Sequence, residues 1–205
     1  MNDQIFETVI TTVSAAGVPH VAPMGVRYEA GFVLLLPFKP STTLENIVVS
    51  GHAVLNTVVD SRIFAGCVTG RRDWPMLPAE KIAGVRLQAG LGHLELQLAA
   101  HVDDSQRPRL RMARVHEVQH APFIGLNRAQ AAVLEAAVLV SRLRMLPPSK
   151  VASEMAYLQI AVDKTAGAAE HEAFGWLMEA VQRHLNDNTR EVLKNDPKDD
   201  LKEGL

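Results

Sequence analysis

The sequence is poor in the features that mark several specialised classes of protein. It has one cysteine, Cys67, in 205 residues. No internal disulfide framework is available, and a structural zinc held by thiolates is disfavoured. It lacks a charge surplus of either sign: 21 Lys and Arg stand against 23 Asp and Glu, for a net charge of −2. A protein that holds nucleic acid without regard to sequence needs excess basic groups to neutralise phosphates, so that class is disfavoured. It also lacks a long apolar run. The most apolar stretch, residues 129–140, is interrupted by Gln130 and Glu135 and falls short of the roughly 18 residues a membrane helix needs. The start, Met1-Asn2-Asp3-Gln4, has no basic segment followed by an apolar one, so no signal peptide is visible. The expectation is a soluble cytoplasmic protein with no membrane or nucleic-acid partner.

What is present is ordinary globular material, 47% apolar and 21% charged. The length suits one domain, or one domain with a small satellite. The character of the chain changes near Asn127. Before it, glycine and proline punctuate short β-rich runs. Residues 5–13 (I-F-E-T-V-I-T-T-V), 20–26, 31–36 and 53–59 read as strands, and residues 91–98 alternate with period two from Leu94. Residues 107–115 form a further candidate, and Pro23 marks the second strand as an edge or a bulge. Several short strands with turn signals suggest a barrel or sandwich.

After Asn127 the pattern is helical. Asn127 is an N-cap, with Gln130 three residues on as in a capping box. The helix should run to about Leu146, ahead of Pro147-Pro148, and it is apolar on nearly all sides, with Glu135 inside it beside Arg128 or Arg142. A second helix starts near Ser149, with a face of Val151, Met155, Leu158 and Val162. A third starts near Ala168, with Phe174, Leu177 and Val181 on one face. Beyond Asn186 the chain is polar, six acids against four bases, and reads as a frayed tail.

The segment Pro37-Phe38-Lys39-Pro40-Ser41-Thr42-Thr43-Leu44-Glu45-Asn46 reads as a strand end, a turn and a helix start. Ser41 or Thr42 can cap the helix, and Glu45 stands where a box with Thr42 would close. Cap hydroxyls, unpaired backbone N–H groups and the positive end of the helix dipole then meet at one point. Such a point can receive a phosphate, with Lys39 adding charge. The same residues also suit a capped helix that binds nothing.

Other motifs compete. His116-Glu117-Val118-Gln119-His120 matches the H-E-x-x-H of zinc hydrolases. Pro122 stands where that helix would continue, and the preceding run reads as a strand. A strand would put His116 and His120 on one face and Glu117 on the other. Arg107, Arg109 and Arg111 would line one strand face, either solvated or anion-binding. Arg71-Arg72-Asp73-Trp74 reads as a lid loop or as a loop with Trp74 packed. Cys67 has no base beside it and reads as a packing residue.

Ala22-Pro23-Met24-Gly25-Val26, Thr42-Thr43-Leu44-Glu45-Asn46 and Asn56-Thr57-Val58-Val59-Asp60 follow one another in that order. The ordered set resembles the flavin reductase-like, FMN-binding split-barrel superfamily. Gly125-Leu126-Asn127-Arg128-Ala129 with Glu135 resembles one poorly characterised family within it, found in archaea and methylotrophic bacteria, that carries extra helices after the barrel. The resemblance implies an α+β, mainly β fold: a split β-barrel of the FMN-binding type over residues 1–126, a helical region over 127–186 packed on it, and a polar tail over 187–205. It implies a homodimer with FMN at the interface. Thr42, Thr43 and Asn46 would face the FMN phosphate, with Lys39 near it. Pro23, Met24 and Gly25 would lie along the flavin or its ribityl chain, and Asn56 would hydrogen-bond the flavin or phosphate. Arg62 and Phe64 would be neighbours. The expected function is an FMN-binding flavoprotein, an oxidoreductase on a small molecule, with a non-catalytic flavin carrier as the alternative and a zinc hydrolase as a remote one. A flavin carries its own redox chemistry, so no catalytic dyad is required.

Overall fold

A computed structural model describes residues 4–194. β1 (Phe6–Val13), β2 (Pro19–Glu29) and β3 (Phe32–Leu35) form an antiparallel meander. A capping helix α1 (Thr42–Ser50) leads into β4 (His52–Thr57), and α2 (Ser61–Val68) into a short hairpin of β5 (Met76–Pro78) and β6 (Val85–Leu87). Two long strands, β7 (Gly92–Val102) and β8 (Arg109–Gln119), complete a closed six-stranded barrel in the order β1-β2-β3-β8-β7-β4. α3 (Arg128–Val140), α4 (Pro148–Thr165) and α5 (Ala168–Lys194) follow. The mainly β fold with helices after the barrel is the expected one.

β1 shows why its sequence reads as a continuous β-branched run. Residues 8–12 are buried on both faces. Ile10 points into the barrel among Leu35, Leu55, Leu96 and Met112, while Val9 points outward among the helices. Leu44 and Ile47 of α1 join the interior core and plug one end of the barrel. A second core lies outside it. Ile63, Phe64 and Cys67 of α2 pack there with Val133 and Ala136 of α3, Met155 of α4, and Phe174 and Leu177 of α5. Each of the Ile, Val, Leu, Phe and Met side chains among them, fully buried, contributes about 1.5–3 kcal/mol.

Several expectations change. α2 was not anticipated. Asp60 caps it by accepting from the Arg62 N–H, and Trp74 lies so close to Gly66 that a Cβ there would come within 2.5 Å of its ring. The strand expected over residues 107–115 runs from Arg109 to Gln119. α3 ends at Val140 rather than near Leu146, and Glu135 sits on its exposed stripe, not inside the packed face. α5 continues past Asn186 to Lys194, and the rest of the polar tail lies outside the described residues.

One departure from a uniform barrel creates the cleft. β3 pairs with β2 only over residues 26–29, whereas β1 pairs with residues 19–26. Residues 19–25 thus pair with no strand on the side away from β1; α2 covers that side at Val21, whose carbonyl lies 3.9 Å from the Cys67 thiol, and residues 22–25 stay open. Pro23 sits opposite Val9, whose carbonyl accepts from Asn56 on the β4 side. The Val9–Pro23 pair therefore exchanges no ladder hydrogen bonds, and the proline nitrogen faces the open edge, where no N–H is missed.

Candidate functional site

The open edge of β2 forms one side of a cleft of about 550 Å³, within the usual range for a small-molecule site. The opposite side is the β3-to-α1 segment, residues 36–43. Phe64 and Val68 of α2 contribute, and so do Leu134, Ala137 and Val138 of α3 with Ser141 and Arg142 just beyond it. The first of the C-terminal helices thus builds part of the cleft wall.

The start of α1 is shaped by its cap. Ser41, in extended backbone, accepts from the Leu44 N–H at 3.2 Å. Glu45 closes no box, because the capping residue is Ser41 and three residues on is Leu44. With Ser41 occupied, the Thr42 and Thr43 hydroxyls have no partner among the described residues, and Thr43 is buried at the cleft. Gly25 is needed for a local reason: a Cβ there would stand 2.6 Å from the Ile5 side chain and 3.4 Å from the Glu7 carboxylate.

Five of the eight residues singled out by the resemblance line this cleft: Pro23, Met24, Gly25, Thr42 and Thr43. Three do not. Asn46 is buried and donates to the Thr12 hydroxyl at 2.9 Å, tying α1 to β1. Asn56 is fully buried and spent on structure, donating to the Val9 carbonyl and accepting from the Leu87 N–H at 2.8 Å. Lys39 turns outward to Asp103 at 2.6 Å. Phe64 lines the cleft, while Arg62 is held by Asp60 and Glu172.

The cleft also holds arginines from outside the resemblance motifs. Arg72, Arg107 and Arg142 line it against a single carboxylate, Glu7. Arg107 stacks over Phe38 at 4.5 Å and donates to the Leu36 carbonyl at 3.3 Å, which fixes it beside the segment leading into α1. Its companions in the alternating set lie elsewhere: Arg111 stacks on Phe32 and pairs with Glu29. Arg72 approaches the Nδ1 of His20 at 3.5 Å. Burial and the Arg72 charge hold the His20 imidazole below its usual pKa. The lid-loop reading of residues 71–74 included Arg72 but could not give it His20 as a neighbour, since that depends on α2 packing against β2.

The H-E-x-x-H segment is the end of strand β8, with His120 just past it, and not a helix, which excludes the helical zinc-hydrolase arrangement. His116 pairs with Glu80 at 3.1 Å, His120 stacks on His93, and Glu117 points to Arg114. Among the described residues no three His, Cys, Asp or Glu side chains converge as a metal site. Cys67 is buried in the outer core, where burial pushes its thiol pKa up. Trp74 packs on α2 rather than over the cleft. Among the described residues no helix is long and apolar enough to cross a membrane.

Comparison with known proteins bears on this geometry. Residues 6–121 match the family described as protein of unknown function (DUF447), N-terminal domain, and residues 127–179 match the companion DUF447 description. Among solved structures, the FMN-bound protein MM1853 from Methanosarcina mazei, assigned to DUF447, superposes with a TM-score of 0.74 at 19% identity, covering 87% of this chain and 96% of that one. The 2-nitrobenzoate 2-nitroreductase NbaA of Pseudomonas fluorescens gives 0.50 at 18% identity, over 58% of this chain and 66% of that one. A candidate flavin reductase with split barrel domain from Shewanella frigidimarina gives 0.50 at 12% identity, over 56% and 66%. At these identities the likeness is one of fold.

Proposed function

We propose, from the premise that the chain belongs to the DUF447 family, that its cleft binds FMN and that the protein is an oxidoreductase acting on a small molecule. The carrying observation is that Thr42 and Thr43, at the start of α1, share one cleft with Pro23, Met24 and Gly25 on the open edge of β2. The FMN held by MM1853, whose fold overlaps most of this chain, supports the reading.

The residues present fit the group. The two threonine hydroxyls and the first N–H groups of α1 are donors awaiting an anion, and the helix dipole favours one there. Arg107 supplies the positive charge expected of Lys39. The unpaired edge of residues 22–25 offers backbone polar groups to a flat heterocycle. Phe64 and Val68, with Leu134 of α3, supply apolar surface. Bound FMN would supply the hydride or electron transfer, while the protein binds it, orients it and screens it from water.

We read the assembly as a homodimer. The segment before α3 carries Ile124 and Leu126 at 95% and 97% exposure, beside a half-exposed Phe123. Apolar side chains displayed together in this way suit a partner surface. The superfamily resemblance implies that a second copy completes the flavin site.

Titrating flavin-free protein with FMN and with riboflavin tests the reading. Thr42→Ala with Thr43→Ala should weaken FMN far more than riboflavin, by roughly 1.5–3 kcal/mol for each charge-assisted hydrogen bond lost. Equal losses would move the phosphate elsewhere. No FMN uptake at micromolar concentration would overturn the assignment. Bound FMN that neither NADH nor NADPH reduces would leave a flavin carrier.

A further inference from the structure

We propose that the cleft takes, beside the flavin, a second ligand with an apolar body and a carboxylate or phosphate group, anchored by Arg72 with His20. The flavin as its neighbour rests on the reading above; the anion-binding pair stands on its own geometry.

Three arginines face one carboxylate in the lining. None of the three forms an ion pair with a carboxylate among the described residues, and Arg72 is the one that stands beside a second basic side chain. Its sequence neighbour Arg71 pairs with Glu179 at 3.8 Å and stacks on Trp176 at 4.5 Å. Arg62, on the same helix-loop unit, pairs with Asp60 at 2.7 Å. Arg72 has no carboxylate partner among the described residues, and its polar contact is another basic group, His20, at 3.5 Å. A guanidinium can only donate, so in this contact Nδ1 of His20 is the acceptor, which suits a neutral imidazole whose proton is on Nε2. The pair thus presents N–H donors and no acceptor, a set that suits a carboxylate or a phosphate.

The flavin phosphate does not account for this pair. It has α1, the two threonines and Arg107, which is fixed beside Phe38 and Leu36 on the segment that leads into α1. Arg72 is held instead through the turn after α2, where the Arg71 N–H bonds the Gly66 carbonyl. Val68, Ala137 and Val138 supply apolar wall to the same cleft. Cationic donors with an apolar wall select small amphipathic acids, aromatic ones among them, over neutral analogues.

Calorimetric titration of the FMN-loaded protein with benzoate, phenyl phosphate and neutral benzamide tests this. Both anions should bind and benzamide should not, and the tighter anion identifies whether carboxylate or phosphate is preferred. Arg72→Ala should weaken the anions at least about tenfold, with partial rescue in Arg72→Lys, a point charge without the fork. FMN and riboflavin affinities should be unchanged in both variants. The proposal is overturned if neither anion binds, if benzamide binds as well, or if Arg72→Ala leaves anion binding intact. It is also overturned if that variant weakens FMN but spares riboflavin, which would give Arg72 to the flavin phosphate. Should the wild type take up no FMN, the flavin reading fails, and the same titration of flavin-free protein still decides the anion site.

Discussion

Glu95 shows how a residue can hide its role in the sequence. It has no exposed surface, and it accepts backbone N–H groups from Glu80, Lys81 and Ile82, the turn between β5 and β6, at 2.5–2.8 Å. His93, equally buried, lies 3.3 Å away and reaches His120 on its other side at 2.8 Å. Burial alone would raise the Glu95 carboxyl, but the three amides and His93 outweigh it and hold its pKa below the usual range. The nearby charges are those of Lys81, Arg86 and the Glu80–His116 pair. Because the folded pKa is depressed, this stabilisation is complete above the unfolded value of about 4.3 and is lost as pH falls through the folded one. Glu95→Gln should cost roughly 1.5–3 kcal/mol at pH 7 in urea unfolding, and the gap should close on acidification. A gap that ignores pH would mean that Glu95 is not ionised in the fold. The alternation of residues 91–98 marks Leu94 and Leu96 as core, but nothing local shows that the opposite, polar face is roofed by a hairpin.

Elements announced by their own periodicity and caps were legible; those defined by what lies against them were not. Asn127 caps α3 by accepting from the Ala129 and Gln130 N–H groups, and its amide also donates to the Thr165 carbonyl at the end of α4. Gln130, instead of closing a capping box, reaches Glu170 on α5. Asn127→Ala should therefore cost more than an isolated cap, about 2 kcal/mol against a typical 1. Thermal unfolding should show one cooperative loss; a separate low-temperature phase would mean that the helices melt independently of the barrel. α2 escaped notice because Gly66 and the short run S-R-I-F-A-G-C-V make a weak helical pattern that packing completes. The resemblance placed Thr42, Thr43 and residues 23–25 together because those motifs sit on the elements that form the cleft. Asn46, on α1, and Asn56, on β4, have their amides engaged within the scaffold.

For the molecule as a whole, a net charge of −2 conceals a cleft lined by three arginines and one carboxylate. Averaged composition cannot show such a site, because a few cations brought together by folding are cancelled in the sum by distant acids. Assembly is where the molecule is most open to test. Ile124→Asp with Leu126→Asp should turn a dimer into a monomer in sedimentation experiments, with little loss of fold, since both side chains are exposed in the single chain. A wild-type mass equal to one chain would remove the shared site. The open edge of β2 has a further consequence. An unpaired strand edge is a template on which another extended chain can add, the first step toward fibrous association. Pro23 breaks that template, since an incoming strand would find no donor at that rung, and α2 already covers Val21. The gap beside β2 is thus a poor template for a peptide, whatever else enters the cleft.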